Sequence, residues 1–482
     1  PRLTPDGNFV VFRLSKSATT KSTIVPNYVT TSGFTEDIQA RTKVGAPLGT
    51  SELFVYDIQR DTVLQVKPDS IPGINDVPSF TKAYPKKDKK ESKDKKPQSR
   101  SVSFSNPVWS QGGKYAVLQL RAADNKDRWI ALLDVATQKL NVIDRLHDDA
   151  WVGGPGGFNV GWISDTKLWF VSEETGYAHL YTYDVASNNK KALTSGKYEV
   201  QQVELNRSKK HFYIITNEAH PGEKHLYKLS VEGGKAERIT TMTGAHEVEV
   251  SPDEKMIAFR YSYTNKPWEM FLMENKVGAK PQQITSSLTP EFKSYAWRDP
   301  VVTSFKARDG ADVYTRVYKP AKPNGAAVIF VHGAGYLQNA HKWWSSYFRE
   351  YMFHNLLADK GYTVLDMDYR ASAGYGRDWR TGIYQFMGGK DLTDNVDGAA
   401  WLVKEHGIDP KRIGVYGGSY GGFITLMGLF TTPDVFAAGA ALRQPEIVQG
   451  QCPRRPGRGL RRRLDLREAG PADRGHPGIR QL

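Results

Sequence analysis

Gly417-Gly418-Ser419-Tyr420-Gly421 is the stretch that decides the fold of the second half of this chain. It follows a short apolar run, 412–416, and precedes a helix-like segment, 423–430. A G-x-S-x-G sequence between a strand and a helix is typical of a nucleophile elbow, a tight turn that raises the serine oxygen above the edge of a sheet. We therefore predict that Ser419 is a nucleophile and that the backbone N–H of Tyr420 is the first oxyanion donor.

The residues around this motif alternate between strand-like and helix-like segments. Two apolar runs flank Arg308-Asp309-Gly310, which indicates a hairpin. The predicted strands are 301–305, 313–318, 326–331, 361–369, 412–416 and 437–442, and the predicted helices are 341–360 and 394–406. In the second helix, Val396, Ala399, Ala400 and Val403 share one face. This alternation predicts a parallel or mixed sheet covered by helices.

A glycine-rich loop, His332-Gly333-Ala334-Gly335-Tyr336, directly follows the predicted strand 326–331. Small residues would let its backbone approach an oxyanion, so His332 and Gly333 are candidates for the second oxyanion donor. A plain turn containing glycines is the alternative interpretation.

Residues 1–295 repeat a unit of three or four short β-rich runs divided by polar turns. About five units are visible, and several place an aspartate after the third run, as at Asp57, Asp134 and Asp184. One such unit cannot bury both of its faces, so the units must stack around an axis, which predicts a β-propeller. A β-sandwich is the alternative, and the unit spacing argues against it.

Two segments carry most of the net charge of +14. Residues 82–100 and 443–482 each contribute +6, which leaves +2 for the rest, so the charge does not predict a nucleic-acid partner. The Lys-rich stretch 85–100 is interpreted as a solvated insertion, with a polyanion-binding loop as the alternative. A single cysteine, Cys452, excludes a disulfide framework, and no cofactor or metal site is expected. No apolar run is long enough to span a membrane.

Three motifs occur in an order that resembles the prolyl oligopeptidase family of serine peptidases, especially its dipeptidyl-peptidase-IV-like branch. They are Val331-His332-Gly333-Ala334-Gly335, Asp368-Tyr369-Arg370-Ala371-Ser372-Ala373-Gly374-Tyr375-Gly376 and Gly417-Gly418-Ser419-Tyr420-Gly421-Gly422. The resemblance covers about residues 1–444. It implies a β-propeller over residues 1–295, an α/β-hydrolase domain over 296–444, and a peptidase that acts on short peptides, often after proline or alanine.

The resemblance also implies roles for particular residues. Many members place a tyrosine hydroxyl in the oxyanion loop, where this chain has His332. The dipeptidyl branch holds the free amine of its substrate with paired glutamates, and Glu173-Glu174 is the candidate pair, with a solvated turn as the alternative. A homodimer is compatible with the resemblance. The chain opens at Pro1 without an initiator Met, so we expect residues to be missing at the N-terminus, and the compartment stays open between bacterial periplasm and cytoplasm.

In α/β-hydrolases the order of the catalytic triad is Ser, then Asp or Glu, then His. Only 482 − 419 = 63 residues follow Ser419, and 445–482 is an anomalous Arg-, Gly- and Pro-rich tail. Asp465, Asp473 and His476 are candidates by residue type alone. We expect the triad acid and base to be absent, the tail to come from a shifted reading frame, and this chain to be inactive. An esterase or acylaminoacyl hydrolase, and a propeller binding protein without catalysis, are the alternatives.

Overall fold

The computed structural model of the protein describes residues 1–43, 45–79, 81, 99–334 and 337–442. Within them, five small antiparallel sheets precede one six-stranded mixed sheet. This confirms the predicted fold class, a β-propeller followed by an α/β-hydrolase sheet. Most of the Lys-rich segment 85–100, the tail 445–482, Cys452 and the triad candidates Asp465, Asp473 and His476 lie outside the described residues. The domain boundaries near 295 and 444 stay predictions.

The five small sheets are the propeller blades, numbered here in chain order. Blade 1 contains β1 (Arg2–Leu3), β2 (Phe9–Lys16), β5 (Thr50–Asp57) and β6 (Thr62–Val66), and β3 (Ser22–Asn27) pairs with β4 (Glu36–Thr42) as a separate hairpin. Blade 2 contains β7 (Val102–Phe104), β8 (Val108–Trp109), β9 (Ala116–Ala122), β10 (Asp127–Asp134) and β11 (Lys139–His147). Blade 3 contains β12 (Val160–Trp162), β13 (Lys167–Ser172), β14 (His179–Asp184) and β15 (Asn189–Ala192). Blade 4 contains β16 (Val200–Leu205), β17 (His211–Thr216), β18 (His225–Ser230) and β19 (Glu237–Arg238). Blade 5 contains β20 (Ala245–Val250), β21 (Met256–Tyr263), β22 (Lys266–Glu274) and β23 (Gln282–Gln283).

The blades stack because successive side chains of one strand point to opposite faces. In β9, Leu118 belongs to the core shared with blade 1, whereas Val117 belongs to the core shared with blade 3. In β13, Phe170 faces blade 2 and Trp169 packs against blade 4. The central strands are therefore apolar on both faces, which explains why their sequences read as continuous apolar runs.

The aspartate that ends the third strand of several blades holds the following turn. Asp57 accepts backbone N–H bonds from Gln59 and Arg60, and Asp134 accepts from Ala136 and Thr137. A side-chain acceptor at this position satisfies amides that the turn leaves unpaired. The repeated aspartate in the sequence is therefore a turn signal, not a catalytic one.

The mixed sheet has the strand order β24-β25-β27-β26-β28-β29. Its strands are β24 (Val301–Lys306), β25 (Asp312–Tyr318), β26 (Ala327–Val331), β27 (Thr363–Met367), β28 (Ile413–Gly418) and β29 (Ala438–Leu442). The last four run parallel, so their carboxyl ends lie at one edge of the sheet. The helices are α1 (Pro290–Ser294), α2 (Phe348–Asp359), α3 (Arg377–Arg380), α4 (Lys390–His406) and α5 (Tyr420–Thr431). None of these helices, within the part of the chain that the structure describes, is long and apolar enough to cross a membrane.

Two sequence expectations about helices were wrong in detail. The helix expected from 341 begins at Phe348, because the preceding segment binds the propeller: the N–H of Lys342 donates to the carbonyl of Gly222 (2.8 Å). In α4 the buried face includes Asp391, Leu392, Asp394, Asn395, Gly398, Ala399 and Leu402, while Ala400 is exposed. Asp391 and Asp394 are buried on that face because they bind Tyr420 and Arg370 on other segments, which an apolar pattern does not reveal.

Candidate active site

Ser419 lies in the turn between β28 and α5, at the carboxyl edge of the parallel strands. Its backbone has φ 54° and ψ −118°, a left-handed conformation that costs a non-glycine residue about 1–3 kcal/mol. Its N–H donates to the carbonyl of Leu442 (2.9 Å), and its carbonyl accepts from the N–H of Phe423 (3.1 Å). The side chain is exposed. This is the geometry of a nucleophile elbow.

The two glycines of the motif let the elbow sit directly on β26. A methyl group at Gly417 or at Gly421 would collide with the backbone carbonyl oxygen of Val331. The elbow therefore approaches the start of the loop at His332 as closely as backbone can. This packing is the physical reason for both glycines of G-x-S-x-G in this chain.

Tyr420, whose N–H is the predicted oxyanion donor, is held through its side chain. Its hydroxyl donates to Asp391 Oδ2 (2.6 Å), and its ring is parallel to that of Tyr369, with centroids 6.2 Å apart. Burial raises the pKa of Asp391, although the hydrogen bonds from Tyr420 and from the N–H of Gly388 oppose this. Sequence reasoning missed Asp391, because an acidic residue on a helix gives no sign of its partner.

His332 is fully buried, and its imidazole binds other core groups. Its Nδ1 lies 2.6 Å from the carbonyl oxygen of Gly333, and its Nε2 lies 3.1 Å from both Asp368 Oδ1 and Ser372 Oγ. Burial alone would lower the pKa of His332, but the hydrogen bond and charge of Asp368 outweigh it and raise the pKa. The imidazole is therefore a structural group of the loop.

The loop after β26 is tied to both Tyr369 and Tyr347. The hydroxyl of Tyr369 donates to the carbonyl of His332 (2.6 Å), and the N–H of Gly333 donates to the hydroxyl of Tyr347 (3.1 Å). Tyr369 thus contacts both halves of the predicted oxyanion hole, since its ring also lies against Tyr420. Tyr347 brings a tyrosine hydroxyl to this loop from a position that sequence alignment of the motif does not suggest.

The predicted amine-binding pair is divided between two cation partners. One oxygen of Glu173 accepts from the N–H of Gly153 (3.0 Å), and both oxygens lie within 2.9 Å of Arg380 Nη2. Glu174 lies 2.5 Å from the ammonium nitrogen of Lys190, on the blade itself. Arg380 therefore already faces the carboxylate of Glu173, although burial still raises the pKa of Glu173. Amine recognition by the pair stays a prediction.

Among the ten described histidines, none is hydrogen-bonded to Ser419. The described histidines that form side-chain hydrogen bonds form them with groups other than Ser419. His354, for example, binds the hydroxyl of Tyr416 (2.7 Å). The described residues also contain no cluster of three or more His, Cys, Asp or Glu side chains that could hold a metal ion. His476, the one histidine after Ser419 in the given sequence, lies outside the described residues.

Comparison with known proteins matches both parts of the chain. Residues 3–268 match the family model described as the dipeptidyl peptidase IV (DPP IV) N-terminal region, which is more than half of the chain. Residues 347–444 match the prolyl oligopeptidase family. The fold resembles the crystal structure of Porphyromonas gingivalis dipeptidyl peptidase 4, with a TM-score of 0.69 at 19% sequence identity, over 92% of this chain and 59% of that one.

Curated relatives are similar over shorter stretches. Dipeptidyl peptidase 4 of Trichophyton tonsurans is 27% identical over 328 residues, which are 64% of this chain and 41% of the relative. Human dipeptidyl peptidase 8 is 27% identical over 270 residues, which are 52% of this chain and 30% of the relative. The matched part of the chain thus spans about a third to two fifths of the length of these relatives.

Proposed function

Since the chain belongs to the prolyl oligopeptidase family, in its dipeptidyl-peptidase-IV-like branch, we propose that Ser419 is the nucleophile of a serine peptidase that cleaves short peptides. The cleavage is of dipeptidyl-peptidase or oligopeptidase type and passes through an acyl-enzyme on Ser419. The observation that carries this proposal is the strained backbone and exposed side chain of Ser419 at the carboxyl edge of the sheet. Backbone strain of this kind clusters at active sites, where the surrounding structure maintains it.

The chemistry follows from the groups around Ser419. A general base removes the hydroxyl proton while Oγ attacks the carbonyl carbon of the scissile peptide bond. The negative charge on the carbonyl oxygen is stabilised by the N–H of Tyr420 and by a second donor from the 332–333 loop. If that donor is the N–H of Gly333, it has to leave the Tyr347 hydroxyl, which it binds at 3.1 Å in this structure. The amine then leaves with a proton, and water hydrolyses the acyl-enzyme to release the second product and restore Oγ–H.

The backbone N–H of Tyr420 must point at the carbonyl oxygen of the substrate for this step, and two contacts hold Tyr420 in place. Asp391 holds the Tyr420 hydroxyl, and the ring of Tyr369 limits rotation of the Tyr420 ring. Tyr369 also binds the carbonyl of His332, so one side chain contacts both halves of the proposed oxyanion hole. We assign Asp391 and Tyr369 as positioning residues.

Labelling with a fluorophosphonate tests the nucleophile. Because no described histidine activates Ser419, we expect slow, sub-stoichiometric labelling of the 482-residue chain, confined to Ser419 and abolished by Ser419→Ala. The slow labelling of the wild-type chain would reflect the oxyanion hole and binding of the probe alone. Labelling that persists in Ser419→Ala would refute the assignment. Rapid stoichiometric labelling that is lost in His476→Ala would place the base in residues 443–482 and overturn the expectation of an inactive chain.

Two substrates test whether the protein cleaves peptide amides or esters. A dipeptidyl amide ending in proline or alanine and a simple p-nitrophenyl ester are compared on the wild-type chain and on Ser419→Ala. Ser419-dependent cleavage of the amide supports the peptidase. Cleavage of the ester alone would favour an esterase on the same fold, and no cleavage of either together with no labelling would favour a propeller binding protein.

A further inference from the structure

Two segments that follow strands of the mixed sheet dock on the propeller, and we call the contacts they make seams. The Arg380 seam joins residues 374–380 to blades 3 and 4. Arg380 reaches Glu173, and the N–H of Arg377 donates to the carbonyl of Gly176 (2.7 Å). The Lys342 seam joins residues 338–344 to blades 4 and 5. Its Lys342 ammonium lies 2.9 Å from Glu223 Oε1. Each seam thus has an ion pair and a backbone N–H that donates to a propeller carbonyl, at Arg377 in the Arg380 seam and at Lys342 in the Lys342 seam.

The Arg380 seam contains a second carboxylate, Glu199, that has no ion-pair partner among the described residues. Glu199 precedes β16 and is 3% exposed, while Arg380 is 4% and Glu173 is 2% exposed. The backbone N–H of Gly376 reaches the Glu199 carboxylate. With Glu173 and Glu199 both ionised, the cluster with Arg380 carries a net charge of −1 in a site with little water.

Other charged groups face this cluster from both sides. On the propeller, Lys224 and Glu173 act on Glu199 through their charges, and Tyr177 adjoins it. On the mixed-sheet side, Arg380 acts on Glu199, while Arg377 pairs with Asp148 of the propeller (3.1 Å) and with Asp378 (3.0 Å). None of the cations forms an ion pair with Glu199 in the described structure, so its charge is only partly compensated.

The pKa values of Glu199 in the Arg380 seam and Glu223 in the Lys342 seam shift in opposite directions. At Glu199, burial raises the pKa to about 7, because the charge of Arg380 does not offset the loss of water and Glu173 adds repulsion. At Glu223, burial also opposes ionisation, but hydrogen bonds from His225 and Lys342 outweigh it and lower the pKa to about 2. Glu223 is thus ionised at every physiological pH, whereas Glu199 titrates near neutrality.

We propose that the Arg380 seam is a pH-sensitive latch between the propeller and the mixed sheet, closed when Glu199 is protonated and loosened when it is ionised. When the seam opens, water reaches Glu199 and its carboxylate becomes an ordinary ionised one. The closed seam therefore binds the proton more tightly than the open seam does. By linkage, the advantage of the closed state is fully present below the ordinary carboxyl pKa of the open state and is lost as the pH rises through 7.

The latch lies at the same sheet edge as Ser419. Residues 374–380 follow β27, and Ser419 follows β28, and both strands run parallel to β26. Loosening the Arg380 seam would therefore widen the gap between propeller and sheet at the edge that carries Ser419. The latch itself does not depend on whether Ser419 reacts, so its test is independent of the proposed function.

Amide hydrogen exchange tests the latch within one molecule. Exchange at Arg377 reports the Arg380 seam and exchange at Lys342 reports the other, so their ratio cancels the intrinsic effect of pH. Between pH 6 and pH 8 we expect the ratio of exchange at Arg377 to exchange at Lys342 to rise about tenfold. This figure follows from a pKa of Glu199 of about 7 in the closed seam and an ordinary glutamate pKa in the open seam. In Glu199→Gln, which cannot ionise, the ratio should stay flat. Glu249→Gln, an exposed carboxylate of blade 5, is the control that should follow wild type.

Three outcomes would overturn the proposal. They are a flat ratio in wild type, an equal rise in Glu199→Gln, and loss of the rise in Glu249→Gln. If Glu199→Gln does not fold, Glu223→Gln carries the test: it should raise exchange at Lys342 at all pH values and leave the pH slope at Arg377 unchanged. Loss of that slope in Glu223→Gln would show that the seams open together and would refute a local latch.

Discussion

The Lys342 seam and the Arg380 seam join the same two parts of the molecule with different charge balance. In the Lys342 seam, one carboxylate, Glu223, meets both Lys342 and His225, and Lys342 is partly exposed. In the Arg380 seam, one buried guanidinium faces two buried carboxylates. A buried charge without enough compensation is costly, so the first seam is a constant attachment and the second depends on pH. The difference shows that counting ion pairs does not predict which contact holds a domain in place.

Removal of Arg380 should give the largest effect. Arg380→Met leaves Glu173 and Glu199 buried without their cation, and breaking a buried pair in this way costs about 3–5 kcal/mol. We expect the free energy of unfolding in urea to fall by that amount at pH 8, and by less at pH 5.5, where the carboxylates take up protons. Arg380→Lys, which keeps the charge, should recover part of the loss. A change below about 1 kcal/mol at pH 8 would contradict the contrast between the seams.

A methyl group at Gly376 should weaken the Arg380 seam alone. Gly376 has φ 87°, and a Cβ there would meet the carbonyl oxygen of Gly176 and the ring of Tyr177. We expect Gly376→Ala to cost about 1–3 kcal/mol and to raise amide exchange at Arg377 more than at Lys342. Gly278→Ala is the matched control, since Gly278 has φ 78° with no neighbouring atom within 4 Å. Equal losses in the two variants would mean that backbone strain, not the seam contact, sets the cost.

Removal of Lys342 should have a smaller effect with a different pH dependence. Lys342→Met loses one charge-assisted hydrogen bond of a side chain that is 24% exposed, and Glu223 keeps His225, so we expect a loss of about 1–2 kcal/mol at pH 7. The lowered pKa of Glu223 contributes stability that is present above its unfolded value and lost as the pH falls toward 2. The difference from wild type should therefore shrink in urea unfolding at pH 3. A difference that grows on acidification would be inconsistent with this assignment.

An exposed pair on the same propeller should give the smallest effect. Arg260 and Glu247 pair across β20 and β21 with 55% and 45% of their side chains exposed. Solvent screens such pairs, so Arg260→Gln should change the free energy of unfolding by less than about 1 kcal/mol at any pH from 6 to 8. A larger loss would mean that exposure is a poor guide to the energies of the two seams.

Much of the fold could be predicted from sequence because the relevant signals are local. The apolar runs divided by polar turns gave the blades, and the hairpin around Arg308-Asp309-Gly310 corresponds to β24 and β25. The elbow was predicted because strand, turn and helix are contiguous there. The start of α2 was predicted wrongly, because residues 341–347 bind propeller residues that are distant in the sequence. The polar part of the buried face of α4 was missed for the same reason: Asp391 binds Tyr420, and Asp394 binds Arg370.

In the candidate site, too, the residues of a local motif could be predicted, whereas their contacts from other segments could not. Ser419 and Tyr420 are named by a motif, but the anchors Asp391 and Tyr369 contact them from other segments. The interior position of the His332 imidazole follows from Asp368 and Ser372, which no spacing within the loop reveals. Glu173 and Glu174 are adjacent in sequence, yet they face different cations because one side chain enters the seam and the other stays on the blade.

The sequence by itself determined the order of strands and turns and the family, and it named the candidate nucleophile, since these depend on residues within a few positions of one another. Only the tertiary structure decided which groups are buried together. Glu173 and Arg380 are 207 residues apart, and Glu199 joins them from a third segment. A pKa depends on lost water and on nearby charges, and both are properties of the folded arrangement. The latch is therefore invisible in the sequence, although every residue that forms it is written there.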